Sequence, residues 1–474
     1  MDKRIFMIGA AALLMSIPGQ AKVRLPHLIG DGMVIQQNSD VRLWGWDTPG
    51  KTVTVSTSWS DETNKAVTDK DGRWLLTVKS PEASFTPLSI TFDDGEQTTV
   101  ENVLSGEVWV CAGQSNMEMP VRGFYNCPVE GYNLEVVNAS DGIRSVKLPS
   151  LMSSVPLEDS ECEWRISSRE TVPEFSATGY FFASTVRKVL DIPIGLIEAN
   201  KGGSRVESWL DEDYLKANTT EETDSVKMID LFEYDFHRAL VWGNGTFHPI
   251  LNYTVRGILY YQGCSNVGDP DGQYTERLKA LVEQWRRDFR LGELPFYFVE
   301  IAPYDYGGLE EVNGAKLREQ QYKASLVIPN SAMVCTNDLV YPYETTQIHP
   351  TQKRKVGERL AFLALNRDYG KKQFISESPV FQSMTVSNDT VYVQLDLKAE
   401  GISRYEDLQG FELAGEDRVF HKANAYYYWT QGIIVTSPEV KKPVAVRYCF
   451  KNFEIGNLGN MGGLPLVPFR TDDW

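Results

Sequence analysis

The chain has 474 residues, 42% of them hydrophobic and 11% aromatic. That length exceeds what one hydrophobic core supports and calls for two or three domains, while the composition excludes a disordered chain. A formal net charge of −17 excludes a general affinity for nucleic acid or anionic membrane surfaces and favours a small or neutral substrate.

At the start, Met1-Asp2-Lys3-Arg4, the apolar run Ile5 to Ile17 and then Pro18-Gly19-Gln20-Ala21 form a charged n-region, an h-region and a small-residue cleavage site. The expectation is export, with residues 1–21 removed and the remainder released to a periplasm or the extracellular space. The apolar run is too short to span a bilayer and no later stretch is long enough, so no membrane insertion is expected.

Residues 22–104 alternate short β-rich runs with turn signals: Val41 to Trp46, Lys51 to Val55, Asp69 to Val78 and Leu88 to Gly95. Regular short strands with Asp-Gly turns predict an N-terminal β-sandwich whose aromatic residues fill its core. Over 105–372 the pattern changes to strands separated by longer helical segments. Val108 to Ala112, Ile192 to Asn200, Val255 to Tyr261 and Phe296 to Ile301 are strand-like, while Ser184 to Leu190, Tyr274 to Phe289 and Gln352 to Leu365 are helical. Such alternation predicts an α/β domain with a parallel sheet flanked by helices, its site on loops at the carboxyl ends of the strands. Over 373–474 the helices stop, and Thr390 to Leu395, Gly410 to Gly415, Gly432 to Thr436 and Val444 to Phe450 predict a C-terminal β-sandwich. The proline-rich tail Gly463 to Arg470 is expected to pack back onto the body without regular structure.

Of the six cysteines, Cys111, Cys335 and Cys449 lie in apolar runs and behave as small hydrophobes, whereas Cys127 and Cys162 lie in loop-like surroundings where a disulfide is conceivable. No Cys-x-x-Cys or His-Glu-x-x-His pattern occurs, and with five histidines in the chain no metal site is expected.

The stretch Glu107 to Pro120 is a buried strand running into a serine on a sharp turn: Val108 to Ala112 supply the strand, Gly113 the turn, and Asn116 a helix start. Ser115 there has the mechanics of a nucleophile elbow without its G-x-S-x-G letters. Two further strand ends carry groups able to face an oxyanion: Asn200-Lys201-Gly202-Gly203-Ser204-Arg205 and Gln262-Gly263-Cys264-Ser265-Asn266. Among the histidines, His27 and His421 belong to the sandwiches, and His237 and His248 lie between the second and third of these loops. His349, on the last loop of the α/β region, is the preferred base.

The set Gly113-Gln114-Ser115-Asn116-Met117-Glu118, Gly202-Gly203-Ser204, Tyr261-Gln262-Gly263-Cys264-Ser265-Asn266, Ile348-His349-Pro350 with Lys353, Val356, Gly357, Arg359 and Leu360, and the ending Gly463-Leu464-Pro465 with Pro468 to Asp472 resembles the sialate O-acetylesterase family of SGNH hydrolases. The resemblance spans nearly the whole mature chain. It implies an exported serine esterase acting on O-acetylated sugars, sialic acids first, with no metal or organic cofactor. In this reading Ser115 is the nucleophile, Gly202 or Gly203 a backbone oxyanion donor, Asn266 the side-chain donor and His349 the general base. Arg205 is a candidate for a sugar carboxylate, and Gln114 and Gln262 join it as candidate substrate-binding residues.

Two departures from the family pattern bear on the chemistry. Cys264 stands where Glu is common, and Thr346 stands where an SGNH enzyme often places Asp, three residues before the His. Asp338, Glu344, Gln347 or a backbone carbonyl is left to orient His349, and the working hypothesis is a Ser–His dyad helped by Asp338. The alternatives are deacetylation of a polysaccharide such as xylan and, in another class, a non-catalytic carbohydrate-binding protein.

Overall fold

The computed structural model describes residues 22–231, 234–268, 272–399 and 401–474. The leader reading on residues 1–21 lies outside them. The central element is a single strand, Gln97–Gly113, seventeen residues long. Its first half pairs antiparallel with Ser84–Asp93 in the N-terminal sandwich. Its second half pairs in parallel with Ile194–Asn200 on one side and Gly257–Tyr261 on the other. The sequence expectation placed a domain border at 104/105, yet the backbone there is continuous paired strand.

The α/β sheet runs in the order Ser331–Val334, Phe296–Val299, Gly257–Tyr261, Gln97–Gly113, Ile194–Asn200, Ile143–Lys147, Trp164–Ile166. All pairings are parallel except the last, where Trp164–Ile166 closes the edge antiparallel. Register decides where the loops emerge. Asn200 and Tyr261 both pair with Gly113, so three strands end on one rung and their following loops leave side by side.

Both faces of this sheet are covered, which is why the central strands read as continuous apolar runs. Alternate residues point to opposite faces. Val108, Val110 and Ala112 pack with Leu278, Leu281, Val282, Trp285 and Phe289 of the helix Tyr274–Phe289. Trp109 and Cys111 pack with Phe181 and Phe182 of the helix Ala177–Leu190 and with Leu360 and Leu363 of the helix Lys353–Arg367. Those last two helices touch through Gly357, where a Cβ would stand 2.6 Å from Phe181 Cβ and Thr178 O. None of the described helices is long and apolar enough to cross a membrane.

The flanking regions are β-sandwiches. In the first, Asp40–Trp46 pairs with Arg73–Lys79 opposite the extension of the main sheet, and Trp44 and Trp74 are buried core residues. Trp46 is covered by the Arg24 guanidinium, 3.8 Å from its ring. In the last, two four-stranded antiparallel sheets enclose Val391, Val393, Leu413, Ile433, Val435 and Val446. The tail does pack back, but not wholly without regular structure: Phe469–Arg470 joins the strand Ala445–Tyr448 as an edge. Arg470 then pairs with Glu319 of the α/β region at 3.1 Å.

The six cysteines are all free, which overturns the Cys127–Cys162 disulfide. Cys162 packs against the apolar core beneath the N-terminal sandwich, whereas Cys127 lies against Gln347 and His349.

Gly113 turns the chain at φ +134°, and a Cβ there would stand 2.3 Å from the Tyr261 carbonyl oxygen. Gly113→Ala combines a disfavoured φ, worth about 1–3 kcal/mol, with a clash at the middle of the sheet. Its urea midpoint is expected to fall clearly below that of the parent chain; an unchanged midpoint would show that the turn tolerates a side chain.

Candidate active site

Past Gly113 the backbone passes through extended Gln114 and enters a one-turn helix, Ser115–Glu118. Ser115, not Asn116, is its first residue, so the hydroxyl sits at the mouth of the turn. Gln114 is buried and joins two strand ends: its N–H donates to Tyr261 O at 2.9 Å and its Oε1 accepts from Gly263 N–H at 2.8 Å. Gln262 is likewise buried, its Nε2 donating to Ser204 O at 3.0 Å and to Asn266 Oδ1 at 2.8 Å. Both amides, candidate substrate-binding residues, hold the site's loops together.

The chain brings His349 back to Ser115 across 234 positions, with Nε2 2.8 Å from Ser115 Oγ. Asn116 ties the two segments together, its Nδ2 donating to Ile348 O at 3.0 Å. The edge of Phe124 packs on the imidazole with ring centroids 5.2 Å apart. Burial, then the charge of Lys353, pulls the His349 pKa down to about 4, because both disfavour an imidazolium. Lys353 is itself buried, donates from Nζ to Pro350 O at 2.6 Å, and is pulled down to about 7 by desolvation against the opposing effect of Glu344.

The candidates for orienting His349 separate cleanly. Asp338, the working choice, is engaged elsewhere: its two oxygens accept from Arg359 at 2.7 and 2.6 Å, and among the described residues it makes no bond with His349. Glu344 accepts from the Tyr341 and Thr351 N–H groups at 2.8 and 3.0 Å and so shapes the loop backbone. Gln347 Oε1 lies 3.3 Å from the His349 backbone nitrogen.

The loop after Asn200 lies against the serine turn. A Cβ on Gly202 would be 3.4 Å from Ser115 Cβ, and its N–H donates to Glu118 Oε2 at 2.8 Å. Glu118 stands three positions after the serine and was not singled out from sequence; its place on the same helical turn as Ser115 was the available signal. Gly203, at φ +78°, lies directly beneath the Phe236 ring, with 2.5 Å between that ring and an added Cβ. Asn266 is buried on the adjoining loop, where Oδ1 accepts from Val206 N–H at 2.9 Å and Nδ2 donates to Glu207 Oε2 at 2.9 Å.

Behind this loop lies a buried ionic cluster. Arg205 donates to Glu221 at 2.9 and 2.6 Å and to His237 O at 3.0 Å, and Arg277 pairs with fully buried Glu207. Buried charges persist only when paired in this way, so the guanidinium proposed to meet a sugar carboxylate is engaged with protein carboxylates instead.

The arrangement offers a hydroxyl hydrogen-bonded to a neutral imidazole, with backbone N–H groups close by, which is the equipment of acyl transfer. Comparison with known proteins agrees. The profile of a carbohydrate esterase family, the sialic acid-specific acetylesterases, matches residues 105–366. The chain is 28% identical over 425 residues to human sialate O-acetylesterase, covering 81% of this chain and 79% of the human protein. The mouse sialate O-acetylesterase is 26% identical over 450 residues, with 82% of each chain covered. The crystal structure of XAC1771, a carbohydrate acetylesterase from Xanthomonas citri, superposes with a TM-score of 0.84 at 31% identity, covering 96% of this chain and 100% of that one. With more than half its length matched and its whole architecture shared, the chain belongs to the sialic acid-specific acetylesterase family of carbohydrate esterases.

Proposed function

We propose that this carbohydrate esterase removes O-acetyl groups through an acetyl-serine intermediate, with Ser115 as nucleophile and His349 as general base. The observation that carries the reading is the 2.8 Å contact between Ser115 Oγ and His349 Nε2 at the carboxyl end of the central strand. In this mechanism Oγ attacks the acetyl carbonyl while its proton passes to Nε2. The tetrahedral intermediate expels the sugar alkoxide, which takes the proton from His349, and a water activated by the same nitrogen then releases acetate. The negative oxygen is received by N–H groups: that of Ser115, which as a first-turn donor has no intrahelical partner, together with the Gly202–Gly203 loop and the Asn266 amide. In the free protein Glu118 holds the Gly202 N–H and Glu207 the Asn266 Nδ2, so these donors serve the oxyanion only when those carboxylates share or yield them.

Sialic acids are the proposed sugars, supported by the family and by the names of the human and mouse relatives. A second reading, neutral polysaccharide esters such as acetylxylan, is favoured by one observation: Arg205 is already paired with Glu221. Export is proposed on the leader composition of residues 1–21.

If the reading holds, Ser115→Ala and His349→Ala each lower turnover of a chromogenic acetyl ester by at least about 1,000-fold. A wild-type chain with no esterase activity would instead support a carbohydrate-binding protein. Rates on O-acetylated sialic acid and acetylxylan, measured side by side, decide the substrate, and faster turnover of xylan overturns the sialate assignment.

The pH profile follows from the lowered His349 pKa. The base works when neutral, so kcat/KM is expected to rise as pH increases through about 4 and to stay flat to neutrality as far as this group is concerned. Lys353→Met removes a positive charge that disfavours imidazolium, so the acid limb is expected to move to higher pH. An unmoved limb would show that burial alone sets the base.

A further inference from the structure

A histidine that accepts from Ser115 Oγ through Nε2 carries its proton on Nδ1. That proton needs an acceptor, and the carboxylates expected to provide one are bound elsewhere, Asp338 by Arg359 and Glu344 by the loop backbone. The partner of Nδ1 is Cys127 Sγ, at 3.9 Å, and Cys127 Sγ lies 3.1 Å from Gln347 Oε1, to which it donates.

The surroundings hold this contact in place. Phe124 and Cys127 exchange two backbone hydrogen bonds of 3.0 Å across a tight turn, so the ring that packs on the imidazole and the thiol that meets its edge arrive together. Gly123 permits the turn, since a Cβ there would stand 2.3 Å from Cys127 O. Gln347 fastens the far side, its Nε2 lying 3.3 Å from Asn126 O and its Oε1 accepting from both Cys127 and the His349 backbone N–H.

We propose that Cys127 is the positioning residue for His349, in the place a carboxylate fills in a Ser–His–Asp triad: Nδ1–H donates to Sγ, and the S–H donates to Gln347 Oε1. The inference rests on the Ser115–His349 reading above. The relay is neutral from end to end. It fixes the tautomer and the ring plane but supplies no charge to stabilise an imidazolium, and the low pKa of His349 agrees with that. A thiol is a weak acceptor, so the relay contributes orientation more than electrostatic stabilisation.

The test uses the full mature chain and a chromogenic acetyl ester. Cys127→Ala is expected to lower kcat about tenfold, the scale of one neutral hydrogen bond, with KM unchanged. Cys127→Ser, which keeps a donor and an acceptor, recovers part of the loss. Cys127→Asp places a carboxylate beside Nδ1 and shifts the acid limb of kcat/KM to higher pH, which checks that position 127 faces the ring. Loss of the Nδ1-protonated tautomer of His349 in a folded Cys127→Ala protein, in contrast, is an effect that a purely structural role would not produce. Because the alanine variant can fail to fold, nitrogen-15 NMR of the histidine-labelled wild-type protein is a second arm, in which His349 is expected to show protonated Nδ1. A proton on Nε2, or a folded Cys127→Ala protein with wild-type kcat and acid limb, overturns the relay. Ser115→Ala separates the two levels: an inactive Ser115→Ala protein beside a fully active Cys127→Ala protein removes the relay alone, whereas retained turnover in Ser115→Ala removes both.

Discussion

The site depends on one rung of backbone hydrogen bonding, the level at which Asn200, Gly113 and Tyr261 lie side by side. Parallel pairing fixes the ends of neighbouring strands relative to one another, and a one-residue slip would send every side chain of a strand to the opposite face. Here both faces are filled, by the Tyr274–Phe289 helix on one side and the Ala177–Leu190 and Lys353–Arg367 helices on the other. A slip would therefore disrupt two cores at once. The loops bearing Ser115, Gly202 and Asn266 inherit their spacing from that constraint, and Gln114 and Gln262 fasten them across the gaps.

Charge is handled in two separate compartments. The strong ion pairs, Arg205–Glu221 and Arg277–Glu207, sit behind the loop that carries Gly202 and Gly203, where each buried charge has a partner. At the imidazole the environment is different: among the described residues its side-chain neighbours include a hydroxyl and a thiol, the thiol in turn bonded to an amide, and the buried cation Lys353 opposes protonation. Burial is the larger cause of the lowered pKa and the lysine the smaller. The imidazole is kept neutral by what surrounds it, and Glu118, the partly exposed carboxylate beside the serine, is directed at a backbone N–H instead of the ring.

Much of this was legible in the chain. Val108 to Ala112 and Tyr274 to Phe289 announce themselves by period, because burial on two faces gives a continuous apolar run and burial on one gives a helical stripe. The backward extension of the central strand to Gln97 was not legible, since Thr98, Thr99 and Glu101 alternate as an ordinary sandwich strand and the change of architecture occurs within one hydrogen-bonded ribbon. Ser115 and His349 stand out as residue types on loops of the α/β region, and they lie 2.8 Å apart. The internal partners of Gln114, Gln262 and Arg205 were not legible, because a polar side chain beside a motif gives no sign of whether it faces solvent or a second loop. Cys127 was placed in a loop and offered a disulfide; its actual neighbour lies 222 positions away, a distance that no local pattern spans.

The shared strand also bears on whether the two regions can be separated. At the border between sandwich and α/β body, Leu104, Ser105 and Gly106 are buried and paired with Val34, Ile35 and Gln36. Separating the two regions there would expose buried apolar side chains and leave paired backbone N–H and C=O groups without their partners. A protease likewise finds no exposed tether to sever. The sandwich and the turn bearing Ser115 are thus joined by one continuous strand, buried where they meet, and share part of their packing.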